Sequence, residues 1–426
     1  MQTRLLWRRS ATAIGLYGGV VLGFVGGAVS ARQLHPDRFG LFALAISGAG
    51  FFQALLDLTV EEAMVKYGFR YTATERWGRL RRLYRRAMQL KTIGALLAGA
   101  ALAIAAPFAD SILGKHGLQT PMLIAALLPI VYVPEAPAGA ALLLTGRYDV
   151  RAWFTFLTSA LRVVGLVVGS FYGVSEALLG LVLGQTAGSA AVGAAALASF
   201  RRYPSGMEPL AEDRKEIVRF MIQSSIATGV VSLRTQVVPL LLGRVSNLAQ
   251  VGYFRVAQAP LTGLGALTSP ARLVLLTEQT RDWEAGETAK VFAGLRRFSY
   301  GAAALMAVSA PFFYWFMPTL IRIAFGRDFV PAADAARLML LAGVVSFVFA
   351  WTKSLPVSIG RPGLRIVTHG IETLVVIPLV LALGSLWDAK GAAAATLIAT
   401  GVFAVAWLVA LAQIYRAHGT TEPVAS

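Results

Sequence analysis

Glu135 and Arg162, Lys353 and Glu372, and Arg234 all stand inside long apolar stretches of the chain. An ionisable side chain is costly there, roughly 2.5–3.5 kcal/mol for Arg, Lys or Asp at the centre of a bilayer even on insertion-based scales, so it is expected to be paired or to serve a function. Glu135 and Arg162 lie at nearly equal distances from Tyr148, the centre of the hairpin that would join their helices. They are therefore expected at one depth, as a structural pair. Lys353 and Glu372 flank Pro362 in the same way. Arg234 has no acidic residue at helical spacing, which makes it the leading candidate for contact with a substrate. Asp57, Glu61 and Glu62 form an acidic group that could bind a proton or sodium ion, or pair with the basic run beginning at Lys66. Other chemistry is absent from the pattern. With no cysteine there is no thiol nucleophile, disulfide or Cys-ligated metal, and the four histidines are scattered at His35, His116, His369 and His418. No metal site, cofactor or catalytic residue is expected.

The elements that must position these residues are membrane spans. Hydrophobic residues make up 56% of the 426-residue chain and charged residues 14%, against roughly 25% in a soluble domain. Mean hydropathy is +0.64. Apolar runs of about twenty residues, each long enough to cross a ~30 Å hydrocarbon core as a helix, recur throughout. They predict spans at 11–30, 40–64, 92–113, 121–145, 152–172 and 176–200, then at 220–243, 252–278, 298–319, 335–359, 366–387 and 391–414. The formal charge of +17 is distributed by side: most of the 39 basic residues fall on one face, and only Arg32, Arg38, Lys115, Arg244, Arg322, Arg327 and Lys390 on the other. That asymmetry puts both termini in the cytoplasm. Arg8-Arg9 and the following apolar run, ending at Ala28-Val29-Ser30-Ala31, imitate a signal peptide but are read as a retained first helix.

Three glycine-centred segments return half a chain length later. Phe39-Gly40-Leu41-Phe42 corresponds to Val251-Gly252-Tyr253-Phe254, Leu113-Gly114-Lys115 to Phe325-Gly326-Arg327, and Thr145-Gly146-Arg147 to Ile359-Gly360-Arg361. The expected architecture is therefore all-α: about twelve transmembrane helices in two parallel six-helix bundles, related by a pseudo-twofold axis along the membrane normal. The bundles would occupy residues 1–203 and 220–414, with a cytoplasmic linker at 204–219 and a tail at 415–426. Transporters built from parallel halves bind substrate between them and alternate access by rocking.

Gly15, Gly19, Gly23 and Gly27 recur every fourth residue and predict a face of the first helix open to close packing. Pro129, Pro134 and Pro137 predict a kink around Glu135. Residues 72–90 predict an amphipathic helix, with Thr72 and Glu75 as a capping box and Trp77, Leu80, Tyr84 and Met88 on one face; its expected partner is the anionic lipid headgroup layer, not nucleic acid.

Ala31-Arg32-Gln33-Leu34, the Phe39 and Val251 segments above, Leu56-Asp57-Leu58-Thr59-Val60-Glu61-Glu62-Ala63, Phe325-Gly326-Arg327-Asp328-Phe329 and Gly360-Arg361-Pro362 together resemble the polysaccharide transporter, or O-antigen flippase, family of the multidrug/oligosaccharidyl-lipid/polysaccharide (MOP) exporter superfamily. The resemblance implies a multi-pass protein of the bacterial inner membrane that moves a polyprenyl-pyrophosphate-linked oligosaccharide to the outer leaflet, with polysaccharide polymerase or glycosyltransferases as partners. It also implies that the first two helices of each half line the cavity, bringing Arg255, Arg272 and Asp57 toward the lumen with Arg234. Arg162 and Lys353 complete the cationic set. Arginine suits such a cargo because its planar fork of donors matches phosphate oxygens. Gln236-Val237-Val238-Pro239 stands where relatives often carry an acid late in the seventh helix, which weakens the case for ion coupling there. The alternatives are a multidrug or cation exporter of the same superfamily and a non-transporting scaffold for glycan assembly.

Overall fold

The computed structural model describes residues 2–210, 213–361 and 363–418, with side chains from residue 17 to residue 416 except at 227 and 269–274. Every regular element among them is helical. In chain order they are α1 (Gln2–Leu56), α2 (Glu61–Ala73), α3 (Trp77–Ala105), α4 (Ala109–Leu113), α5 (Gln119–Ala125), α6 (Leu128–Val131), α7 (Glu135–Leu144), α8 (Tyr148–Ser170), α9 (Val174–Phe200), α10 (Asp213–Val245), α11 (Leu248–Ala257), α12 (Ala259–Leu267), α13 (Ser269–Glu284), α14 (Thr288–Phe325), α15 (Ala333–Val348), α16 (Leu355–Ser358) and α17 (Gly363–His418). A bilayer core offers no water to backbone groups, so a chain this apolar satisfies them within helices.

Nine helical segments among the described residues are long and apolar enough to cross a membrane. Two are long enough for two crossings. Tyr17–Leu56 and Gly363–Arg416 hold 40 and 54 residues, about 60 and 80 Å of helix at 1.5 Å per residue. Each is broken near its middle: α1 at His35, with φ 59° before Pro36, and α17 at Trp387 and Asp388, with φ 52° at the latter. The Asp388 break is pinned by Ser246, whose hydroxyl donates to the Asp388 carboxylate, and by Gln250, whose Oε1 accepts from the Ala389 N–H at 3.3 Å. Residues 248–284 are divided among α11, α12 and α13 at Pro260 and Pro270. Apolar side chains on α14 face outward, with Val308 81% and Trp315 77% exposed, as lipid-facing residues do.

The chain divides into two compact units, Met1–Leu240 and Leu241–Ser426. In the first, α2, α3, α7, α9 and the start of α10 enclose Met64, Tyr67, Tyr71, Leu80, Leu142 and Phe200. In the second, α14, α16 and α17 enclose Leu295, Leu355, Phe403 and Trp407 together with Trp351.

The repeat read from glycine spacing has a backbone counterpart. After α7, Gly146 takes φ 72° and the Arg147 N–H donates to Leu142 O at 2.8 Å. After α16, Gly360 takes φ 68° and the Arg361 N–H donates to Pro356 O at 2.8 Å. Both are the same left-handed, glycine-closed helix end, whose six-to-one bond satisfies an orphan carbonyl.

Three local expectations need correction. The stripe Gly15, Gly19, Gly23, Gly27 is not a uniform packing face: a Cβ at Gly19 would meet Ser159 Oγ at 2.9 Å, but nothing lies within 4 Å of one at Gly23 or Gly27, and Gly15 lies outside the described side chains. Close approach to α8 runs through Gly18, Gly19 and Gly26, against Phe156, Ser159 and Val163. The Thr72–Glu75 capping box is absent, because Thr72 ends α2 with its hydroxyl donating to Phe69 O, Glu75 turns the chain at φ 54°, and α3 starts at Trp77. The Trp77, Leu80, Tyr84, Met88 face packs inward: Trp77 stacks on Tyr203 with ring centroids 3.7 Å apart, and the others join the buried cluster.

Candidate functional site

The polar side chains of the first unit gather where its helices are interrupted. The fourth predicted span is divided into α5, α6 and α7, as its prolines predict, and the gap between α6 and α7 presents Tyr132 and Glu135. Opposite stands Gln185 on α9, fully buried. Its amide nitrogen donates to Glu135 Oε2 at 2.7 Å and to Ser189 Oγ at 2.8 Å. Its carbonyl accepts from Arg162 Nη1 at 3.4 Å, and the same nitrogen donates to the Tyr132 hydroxyl at 3.0 Å. Glu135 and Arg162 are thus brought together, but across an amide. Gln185 satisfies both charges at once, which a buried network requires.

A second interruption follows α1. The helix stops at Leu56, residues 57–60 are non-helical, and Gly94 on α3 lets that bend approach, since a Cβ there would lie 2.8 Å from Leu56 O. The Asp57 side chain is 5% exposed; it pairs with Lys91 and accepts from Gln53 Nε2 at 3.2 Å. Its Oδ1 is buried with no hydrogen-bond partner among the described groups. Glu61 pairs with Arg151 at 3.2 Å, and burial raises its carboxyl above the ordinary value while Arg151 opposes the rise. Glu62 accepts from Ser224, and Ser225 Oγ accepts from the Thr59 N–H at 2.8 Å. Asp57 is thus paired with Lys91, the last residue of the basic run that begins at Lys66, whereas Glu61 and Glu62 are held by Arg151 and by Ser224 on α10.

α10 is held along one stripe. Ser225 touches the bend, a Cβ at Gly229 would meet Ala54 O at 2.7 Å, and Gln236 packs so closely on Gly50 that a Cβ there would lie 2.5 Å from Gln236 Cδ. Arg234, two residues before Gln236, is rotated about 200° from that contact at 100° per residue. It is half-buried and engaged by its neighbourhood, so it is not the isolated charge its sequence spacing suggests.

The start of α10 is tied to α2 by groups that sequence spacing did not single out. Tyr71 donates to Asp213 Oδ2 at 2.8 Å and Tyr67 to Glu216 Oε1 at 3.0 Å. Burial and these bonds push the Tyr67 phenol up to about 12 and raise Tyr71 as well. Arg79 pairs with Glu208 at 3.6 Å and Asp213 at 3.4 Å, and Arg81 donates to the carbonyls of Phe200 and Tyr203.

The second unit holds the remaining candidates. Glu372 is buried, holds His369 Nδ1 at 3.0 Å and accepts from Thr400 at 3.4 Å. Lys353 donates to Thr268 Oγ1 at 3.4 Å, and Arg255 donates to Gln258 Oε1 at 3.2 Å. The Arg272 side chain lies outside the described residues.

Comparison with known proteins identifies this broken helical frame. The family model described as "Polysaccharide biosynthesis protein" matches residues 8–275. The chain belongs to this family. No curated protein matches the sequence. Among solved structures, this polysaccharide biosynthesis family member is similar to an inward-facing multidrug resistance MATE family transporter of the MOP superfamily, with TM-score 0.70 and 15% identity, covering 97% of this chain and 96% of that one. It is equally similar to lipid II flippase MurJ in an inward closed conformation, at TM-score 0.70 and 13% identity over 94% of this chain and 87% of the other. A MOP superfamily transporter from Pyrococcus furiosus follows at TM-score 0.56, 14% identity and 96% and 95% coverage; reversed polarity of its binding pocket is described as suggesting a different function. The expected all-helical transporter fold is thereby established.

Proposed function

We propose that this protein is a flippase of the bacterial inner membrane that carries a polyprenyl-pyrophosphate-linked oligosaccharide from the cytoplasmic to the outer leaflet by alternating access, in twelve crossings with both termini cytoplasmic. The observation that carries the reading is the polysaccharide biosynthesis family match over residues 8–275, on a fold shared with a lipid II flippase. Charge supports it. The candidate span that is α10 holds Arg234, whose planar fork of donors matches the oxygens of a pyrophosphate. Arg162, Arg255, Arg272 and Lys353 are the further cations proposed to meet the pyrophosphate, and Asp57, with its unsatisfied Oδ1, is the proposed place of proton or sodium coupling.

The test is complementation. Arg234→Ala, expressed at normal level, is expected to abolish surface glycan in a strain lacking the chromosomal copy, with Arg234→Lys retaining part; intact glycan in the alanine variant would remove Arg234 from the site. The fold likeness to a MATE transporter favours one second reading, a drug exporter. Loss of the gene would then raise drug sensitivity and leave surface glycan unchanged.

A further inference from the structure

The first turns of α10 sort their charges by face. Asp213 and Glu216 turn toward α2, where Tyr71, Tyr67 and Arg70 hold them. Arg214, Lys215 and Arg219 are exposed and, with Val218, Ile222 and Gln223, line an open cleft of about 690 Å³. No acid lines it. Below the cations the face becomes apolar, with Val218 42%, Ile222 49% and Ile226 52% exposed. The surface therefore joins three cations to an accessible hydrocarbon strip within three helical turns. That is the complement of a phosphorylated headgroup on a long apolar chain, not of a free sugar or a soluble anion. The same helix continues the path. At 100° per residue Arg219, Gln223 and Arg234 fall within about 60° of one another, and Arg219 and Arg234 are roughly 22 Å apart along the axis.

We propose that this face of α10 is the docking site at which the pyrophosphate headgroup of the lipid-linked cargo is first captured, held by Arg214, Lys215 and Arg219 with its first isoprene units along Val218 and Ile222, before passing along the stripe to Arg234. The inference rests on the flippase reading above, and it adds a capture step and a direction of travel.

The experiment uses the full chain in a neutral detergent with farnesyl pyrophosphate as probe, and inorganic pyrophosphate and phosphatidylglycerol nanodiscs as comparisons. A triple variant, Arg214→Gln with Lys215→Gln and Arg219→Gln, is expected to bind farnesyl pyrophosphate about a hundredfold more weakly, from about fivefold per cation. Lysine at 214 and 219 should restore most of the affinity. Val218→Ser with Ile222→Ser is expected to erase the preference for farnesyl pyrophosphate over inorganic pyrophosphate. The substituted side chains are exposed, so an unchanged melting temperature is expected and certifies folding. Equal binding by the triple variant and the unaltered protein overturns the docking site and leaves the flippase reading standing. If only phosphatidylglycerol binding weakens, the face is a contact for bulk anionic lipid and the proposal fails. If the unaltered protein binds no farnesyl pyrophosphate, the docking site fails; whether the cargo assignment fails with it is decided by surface glycan in cells lacking the gene, where unchanged glycan would overturn that assignment.

Discussion

Gln185 is the residue on which the interior polar network of the first unit depends. It is fully buried between Glu135 and Arg162, and it is the amide that bonds to both. Gln185→Leu roughly keeps the volume but takes from Glu135 its amide donor and leaves Arg162 bonded to Tyr132, and losing a bond to a charged group costs about 1.5–3 kcal/mol. Lower thermal stability in detergent is the expected result, whereas Gln185→Glu should keep the Arg162 contact and repel Glu135. The sequence placed Glu135 and Arg162 at one depth because hairpin symmetry is a matter of counting, and the structure does bring them together. It did not reveal Gln185, since a lone amide in an apolar span carries no charge to draw notice. Arg234 shows the opposite failure: its location in a span was legible, but its neighbourhood was not, because contacts across α10 depend on packing and not on spacing along one helix.

The joint between α2 and α10 belongs to the scale of elements. Tyr71 is buried, and Tyr71→Phe deletes a bond to an ionised acceptor, a loss of roughly 1.5–3 kcal/mol. Hydrogen exchange over the first turns of α10 is expected to quicken in that variant. Tyr67 adds a pH signature. Its phenol is raised to about 12 in the native protein against about 10 when unfolded, so its stabilising contribution is complete below pH 10 and disappears as pH rises through 12. Phenolate absorbance should show this late titration, and Tyr67→Phe should remove one tyrosine's share of it while Tyr71 still titrates late. The α8 and α9 hairpin makes a second test. A Cβ on Gly165 would lie 2.0 Å from Gly180 O, one on Gly180 2.0 Å from Gly165 O, and one on Gly184 2.3 Å from Leu161 O. Backbone must move to admit any side chain, so Gly180→Leu is expected to lower stability by about 3 kcal/mol or prevent folding, with Gly180→Ala milder. Gly165-x-x-x-Gly169 and Gly180-x-x-x-Gly184-x-x-x-Gly188 have the spacing that drew attention to the first helix. Spacing identifies where close approach is permitted, and only the fold decides which permitted face is used.

For the whole molecule, hydropathy gave the helical architecture because lipid leaves the backbone few alternatives. Segment ends were harder: the second span stops at Leu56, not at residue 64, since Asp57 leaves the helix to reach Lys91. Orientation can be read directly, because the chain has no cysteine and each introduced thiol reports alone. Gly117→Cys is expected to react with an impermeant maleimide from outside intact spheroplasts, and Gly206→Cys only after permeabilisation. The reverse pattern would invert the topology inferred from charge.

The contrast between the fourth span and the hairpin beside it has a mechanical consequence. α8 and α9 touch backbone to backbone with no side chain to act as a cushion, and so form a plate of high modulus. α5, α6 and α7 are three short rods meeting at proline-bearing joints. Under load the compliance of the first unit therefore resides in the jointed rods, and the polar network around Gln185 spans the seam where stiff meets soft.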